Sequence, residues 1–161
     1  MKLFLEGLQN QIKEFIKNNI RLRFIGDLTR FPVKHQQYIA KAQQSCANNR
    51  GMIFVAALNY GGQWDIVQAV KQVAKKVAAG KLLIDEINDD SIAQYLTLAD
   101  LPNPDLLIRT SGEQRISNFF LWQLAYTELY FIQQLWPDFT KECFQAALDD
   151  YAKRQRRFGR V

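Results

Sequence analysis

The stretch DLLIRTSGEQRISNFFLWQLAYTELYF, residues 105–131, decides how this chain is read. Leu106, Leu107 and Ile108 form an apolar run of strand length that ends in Arg109. Thr110-Ser111-Gly112 follows, then a second arginine, Arg115, and Ser117. Beyond these the chain turns aromatic through Phe119, Phe120, Trp122, Tyr126, Tyr130 and Phe131, interrupted by the carboxylate of Glu128. A strand that reads as fully buried therefore hands the chain to two arginines and a serine.

Arginine carries a planar fork of donors that matches phosphate oxygens two at a time, and a pair of them neutralises much of a diphosphate. Ser117 adds a hydroxyl donor, and the Ser111-Gly112 turn lets backbone amides approach an anion. Glu128 would repel that anion directly, so its useful role there is to hold Mg²⁺ against the phosphates. The plain alternative makes Arg109 and Arg115 surface ion-pair partners of Glu113, Asp105 and Asp100, and Glu128 a solvated or capping carboxylate.

Outward from this stretch, helices and strands alternate. Phe4, Leu5, Leu8, Ile12, Phe15 and Ile16 keep helical spacing up to Asn18-Asn19. Ile20 to Ile25 reads as a strand ended by Gly26-Asp27, and Pro32 opens a helix to about Ala47. Met52 to Leu58 is an unbroken apolar run, expected as a strand covered on both faces, with Met52 read as a core residue. After Gly61-Gly62, the spacing of Ile66, Val70, Val73 and Val77 predicts the inner face of a helix closed by Gly80. A helical patch is expected around Ser91 to Leu98, strands at Asp105 to Ile108 and Glu128 to Ile132, and a last helix from Thr140 burying Phe144, Leu148 and Tyr151.

Strands separated by helices imply parallel βαβ units, hence an α/β fold with a parallel sheet flanked by helices in one domain. Ligands of such sheets sit outside the carboxyl ends of the strands. Three strand ends carry polar chemistry: Gly26-Asp27 with Arg30, Asn59-Tyr60-Gly61-Gly62, and Arg109-Thr110-Ser111-Gly112.

Composition narrows the function classes. A chain of 161 residues with 48% hydrophobic and 23% charged residues can bury a core and carries no disorder signature. Its net charge of +5 favours anionic partners. The basic residues are scattered except at the tail, however, and no nucleic-acid motif is present, so nucleic acid is not expected as a partner. No apolar run approaches the ~20 residues of a membrane span, and the N-terminus reads as an amphipathic helix rather than a signal peptide. Cys46 and Cys143 lack paired spacing and read as free thiols in a reducing cytoplasm.

The 105–131 stretch, together with RLRFIGDLTRF (21–31), LNYGGQWDIVQAV (58–70), LWPDF (135–139) and RRFG (156–159), resembles the cis-prenyltransferases, in the order that family shows. The resemblance covers essentially the whole chain and is closest to the bacterial members that make undecaprenyl diphosphate, the cell-wall lipid carrier. It implies a cytoplasmic homodimer that condenses isopentenyl diphosphate with a farnesyl-type allylic diphosphate, using Mg²⁺ and a long apolar tunnel. It also allows peripheral membrane contact for product release, and it offers a second reading of Met52, at the closed end of that tunnel. On that resemblance Arg109, Arg115 and Ser117 match the positions that hold isopentenyl diphosphate, and Glu128 matches the glutamate associated with Mg²⁺. Arg157 and Gly159 match a C-terminal Arg-x-Gly motif that reaches the partner's substrate. Gln114 falls where some relatives carry a histidine.

The family's MDGN-type phosphate loop, with its catalytic aspartate, has no match between Met1 and Val161, so no residue is assigned as catalytic. The expectation is a domain lacking its N-terminal strands and allylic-diphosphate loop, inactive by itself. A non-catalytic partner subunit is the alternative. His35 reads as a surface residue, the aromatic run as core or dimer interface, and Lys153, Arg154, Arg156 and Arg160 as a solvated helix end.

Overall fold

The computed structural model describes residues 11–155; the start of the first helix and the Arg157–Gly159 motif lie outside them. Contacts gather the chain into two compact units, Met1–Tyr60 and Gly61–Val161.

In the first unit, residues 11–17 are helical (α1) and lead through Asn19, in the left-handed region at φ 56°, into β1 (Arg21–Ile25). α2 (Val33–Ser45) follows, with Pro32 as the residue before its first turn, and then β2 (Ile53–Ala57). β1 and β2 pair in parallel, Arg21 against Ile53 through Ile25 against Ala57. The core sets Leu22 and Phe24 of β1 against Ile39, Ala42 and Cys46 on one stripe of α2, with Ile12, Phe15 and Ala56 packed around them. Each fully buried Leu or Ile contributes about 1.5–3 kcal/mol. Burial also pushes the Cys46 thiol pKa up from its ordinary value.

The ends of these strands are tied by the polar residues that the sequence made conspicuous. Asn59, left-handed at φ 48°, donates from its side chain to the Asp27 carbonyl at 3.0 Å and accepts from the Asp27 amide at 3.2 Å. Gly26 holds φ +105°, and a methyl group there would strike the Leu58 carbonyl oxygen, so only glycine fits. Asp27 caps the turn Leu28–Arg30 by accepting from Thr29, and that bond to the Thr29 hydroxyl, ahead of Arg30, holds its carboxyl below the usual range. This strand end is a structural staple.

Two expectations fail in this unit. β2 is not covered on both faces: Met52 is 60% exposed, so it is no core residue, and Phe54 is 43% exposed although its ring meets that of Phe15. An apolar run permits double cover but does not supply it. Among the described residues, α2 packs on the face bearing Leu22 and Phe24, while Arg21 and Arg23 point to the other. His35 is half-buried rather than on the surface, and its Nδ1 has no hydrogen-bond partner.

The second unit runs α3 (Gly62–Ala78), α4 (Asp89–Ala93), β3 (Leu106–Arg109), β4 (Glu128–Phe131) and α5 (Lys141–Lys153). β3 and β4 pair in parallel, Leu106 against Glu128 through Arg109 against Phe131. The two strands are half-buried along their length, where the sequence suggested full burial of β3. Helix starts follow local rules. Asn88 and Ser91 cap α4 reciprocally, at 2.8 and 2.9 Å, and Thr140 caps α5 as its position predicted.

The inner face of α3 is Gly62, Asp65, Ala69 and Val73, not the valine series; Val70 is 48% exposed. Both series keep helical spacing and share Val73, and the small residues win because they let the helix approach its neighbours closely. In α5 only Ala147 is buried, while Phe144 and Leu148 stay 46% and 37% exposed. Ala147, a small residue, takes the buried position, and the larger apolar side chains stay outward. These described residues contain no helix long and apolar enough to cross a membrane.

Candidate diphosphate-binding site

Arg109 is the last residue of β3, half-buried, at the carboxyl end of a parallel strand. The loop that follows is pinned to the far end of β4. The Ser111 amide donates to the Gln134 carbonyl at 2.7 Å, and the Gly112 amide to the Ile132 carbonyl at 2.9 Å. Four non-glycine residues of this loop are left-handed: Ser111 (φ 69°), Ser117 (48°), Asn118 (61°) and Phe120 (46°). Such backbone costs of order 1 kcal/mol or more per residue and persists only where surroundings enforce it, which marks functional loops.

The enforcement is visible at Asn118. Its carbonyl accepts from the Gly62 amide at 2.6 Å and its side-chain Oδ1 from the Gln63 amide at 2.9 Å. Asn118 thus caps α3 from 55 residues away, replacing the cap that side-chain-free Gly61 cannot provide. The glycine pair makes this docking fit. A methyl on Gly62 would lie 2.7 Å from Leu121 Cγ and 2.8 Å from its amide nitrogen, and one on Gly61 would lie 2.8 Å from Asn118 Nδ2. The Gly61-Gly62 signal is therefore a seat for the loop that carries Ser117.

Of the sequence candidates, Arg109, Arg115 and Ser117 share this one loop. Among the described residues no carboxylate pairs with Arg109. Arg115 is exposed and pairs with Glu113, so the surface ion pair weighed from the sequence is realised for this arginine. Ser117 and Gln114 are exposed. The arrangement offers cationic and hydroxyl donors to a multiply charged anion at a strand end.

Glu128 is not brought to that end. It opens β4 opposite Leu106, whereas Arg109 lies opposite Phe131, three register positions on. At ~3.3 Å per residue the two backbone positions are about 10 Å apart along the strands. A parallel pair presents residues at like ends only when they share a register, so the backbone separates Glu128 from Arg109 along the strands. Instead Glu128 Oε2 accepts from Arg154 Nη1 at 2.8 Å. Arg154 also donates to the Leu129 carbonyl at 3.0 Å and grips Asp150 through Nε and Nη2, at 2.8 and 2.7 Å. These partners, Glu128 first and Asp150 second, raise the guanidinium pKa. Arg154 is therefore no solvated helix end. The Asp150–Arg154 spacing of one helical turn was its only sequence signal.

A second long-range polar pairing centres on Asp65. Asp65 is 2% exposed and its carboxylate accepts from the Thr97 amide (2.8 Å), the Thr97 hydroxyl (2.7 Å) and Gln123 Nε2 (3.1 Å). Through Gln123 this knot fixes the segment between the loop and β4. Nearby, the Thr127 hydroxyl donates to the Pro104 carbonyl at 2.6 Å. Among the described residues no group of three or more His, Cys, Asp or Glu is placed to hold a metal alone. The donor set still suits Mg²⁺, which commonly takes one carboxylate together with substrate phosphates.

A family model described as "Putative undecaprenyl diphosphate synthase" matches residues 1–159. The chain belongs to the cis-prenyltransferase family. It is 52% identical over 159 residues to the ditrans,polycis-undecaprenyl-diphosphate synthase, (2E,6E)-farnesyl-diphosphate specific, of Vibrio vulnificus (strain YJ016). That match covers 99% of this chain and 63% of the relative. The corresponding Coxiella burnetii synthase is 50% identical, with 99% and 67% covered. Among solved structures, lavandulyl diphosphate synthase from Lavandula x intermedia, in complex with dimethylallyl diphosphate, has a TM-score of 0.93 at 41% identity, covering 98% of this chain and 69% of that one. A "probable undecaprenyl diphosphate synthase" from Campylobacter jejuni has a TM-score of 0.85 at 35% identity, covering 99% and 72%. This cis-prenyltransferase chain thus has the family's α/β fold while spanning 63% of the first Vibrio relative's length.

Proposed function

We propose that the chain supplies the isopentenyl-diphosphate half of a cis-prenyltransferase site, in a single prenyltransferase domain of the undecaprenyl diphosphate type. The observation that carries this reading is Arg109, unpaired among the described residues at a parallel-strand end and leading into a strained loop that bears Arg115 and Ser117. Arg109 and Arg115 grip the diphosphate, Ser117 donates its hydroxyl, and the alkene of the bound substrate stays untouched, free to attack. The second substrate is an allylic diphosphate of the farnesyl type, in keeping with what the relatives' names state of those proteins. Mg²⁺, when bound through Glu128 and phosphate oxygens, would offset the charge that develops on the departing diphosphate.

Condensation forms a carbon–carbon bond from the isopentenyl alkene to the allylic carbon, breaks that carbon's bond to diphosphate and releases diphosphate and a proton, with water excluded to spare the cationic intermediate. The enzyme works in the cytoplasm, touching a membrane only peripherally to release its lipid product, and takes no nucleic acid. The chain is expected to bind isopentenyl diphosphate weakly, and more tightly with Mg²⁺. Calorimetry with isopentenyl diphosphate and inorganic diphosphate tests the reading; a folded chain that binds neither overturns it.

Exposed apolar side chains support a homodimer. Trp136, stacked on Phe139 at 5.7 Å, is 72% exposed, and Leu135, Phe144 and Leu148 are exposed with it. Soluble monomers rarely leave so much large apolar surface open. These residues form an isologous face between two copies of the chain, so that Arg157 and Gly159 of each can reach the other's substrate. Light scattering at micromolar concentration should give the mass of a dimer, and a monomer there would count against the assembly.

A further inference from the structure

We propose that Arg154 is a positioning residue for Glu128. It fixes the carboxylate and leaves one oxygen for the metal–diphosphate complex. The inference rests on the reading of Glu128 given above.

The guanidinium is held independently of the residue it orients. Two of its nitrogens contact Asp150 Oδ2, at 2.8 and 2.7 Å, and the third donates to the Leu129 carbonyl at 3.0 Å. Only one further contact, at 2.8 Å, goes to Glu128, and it takes Oε2. Oε1 has no hydrogen-bond or ion-pair partner among the described residues. The carboxylate is thus restrained by one oxygen and available by the other, the arrangement that outer hydrogen bonds give a metal-binding carboxylate. A bare guanidinium would repel a divalent cation nearby, but the Asp150 carboxylate offsets that charge, leaving orientation as the larger effect. Both side chains are partly shielded, at 30% and 28% exposure, so the bond is less screened than a surface pair. Arg154 is also the first residue after α5 and lies three residues before Arg157.

The test is a Mn²⁺ titration of the full chain in the presence of inorganic diphosphate, following free Mn²⁺ by electron paramagnetic resonance, with a thermal melt of each variant. Glu128→Gln and Arg154→Ala should each weaken Mn²⁺ binding roughly tenfold or more, the range for lost outer-shell partners. The double variant should be no weaker than Glu128→Gln alone, because the arginine acts through the carboxylate. Arg154→Lys should lie between, having lost the fork. If Glu128→Gln weakens binding while Arg154→Ala binds as tightly as the parent or more so, the positioning role falls and the Glu128 reading stands. If Glu128→Gln changes nothing, both fall. Should Arg154→Ala fail to fold, Asp150→Asn decides: it frees the guanidinium without touching β4, and unchanged binding there overturns the proposal.

Discussion

Arg109→Ala is expected to weaken binding of isopentenyl diphosphate by roughly 10- to 150-fold, the equivalent of about 1.5–3 kcal/mol for hydrogen bonds to a charged group. Arg109 carries this effect because, among the described residues, no carboxylate competes for it, so its fork is available to the ligand. Arg115→Ala should cost less. Its guanidinium is paired with Glu113 in the free chain, and breaking an exposed pair of that kind takes back up to about 1 kcal/mol. Glu113→Gln should therefore tighten binding slightly, and Arg109→Lys should restore only part of the loss, since an ammonium offers no bidentate match. Isothermal calorimetry on the four variants, with circular dichroism to confirm the fold, checks the series. Equal affinity in Arg109→Ala and the parent chain would remove Arg109 from the site.

The largest stability effect is expected at Asp65. Asp65→Ala leaves the Thr97 amide, the Thr97 hydroxyl and Gln123 Nε2 without the acceptor they share in a buried place. An unsatisfied buried group costs about 1–3 kcal/mol, so the combined loss should be about 3 kcal/mol or more. For a chain of this size that lowers Tm by roughly 6–12 °C. Asp65→Asn, which keeps one acceptor oxygen but places donors against donors, should fall between. Because Gln123 ties this knot to the segment before β4, the variant should also loosen the Ser117 loop, weakening diphosphate binding before the whole chain unfolds. Thermal melts, with hydrogen exchange at residues 110–127, measure both. A Tm within 2 °C of the parent would show that the knot contributes little.

The order of strands and helices was legible in the sequence because periodicity and breakers are local: each of the helices and strands expected among residues 11–155 is present, although the helix expected over Ser91 to Leu98 spans only Asp89–Ala93. The Arg109–Ser117 cluster was legible for the same reason, since a strand that ends in Arg109 and a loop carrying Arg115 and Ser117 are consecutive in the chain. Cover was not legible. Phe54, Val70, Phe144 and Leu148 keep the spacing of buried residues, yet burial depends on which neighbour arrives at which face, and small residues such as Ala69 and Ala147 took the close contacts. Long-range polar pairings were equally hidden. Nothing local tells Asn118 to cap a helix that begins at Gly62, Asp65 to hold Thr97 and Gln123, or Arg154 to claim Glu128. The sequence determined the elements and the charged loop, because backbone propensity and apolar spacing act over a few residues. Only the tertiary structure decided that Glu128 stands about 10 Å along the strands from Arg109, because parallel register is set by packing between segments far apart in the chain.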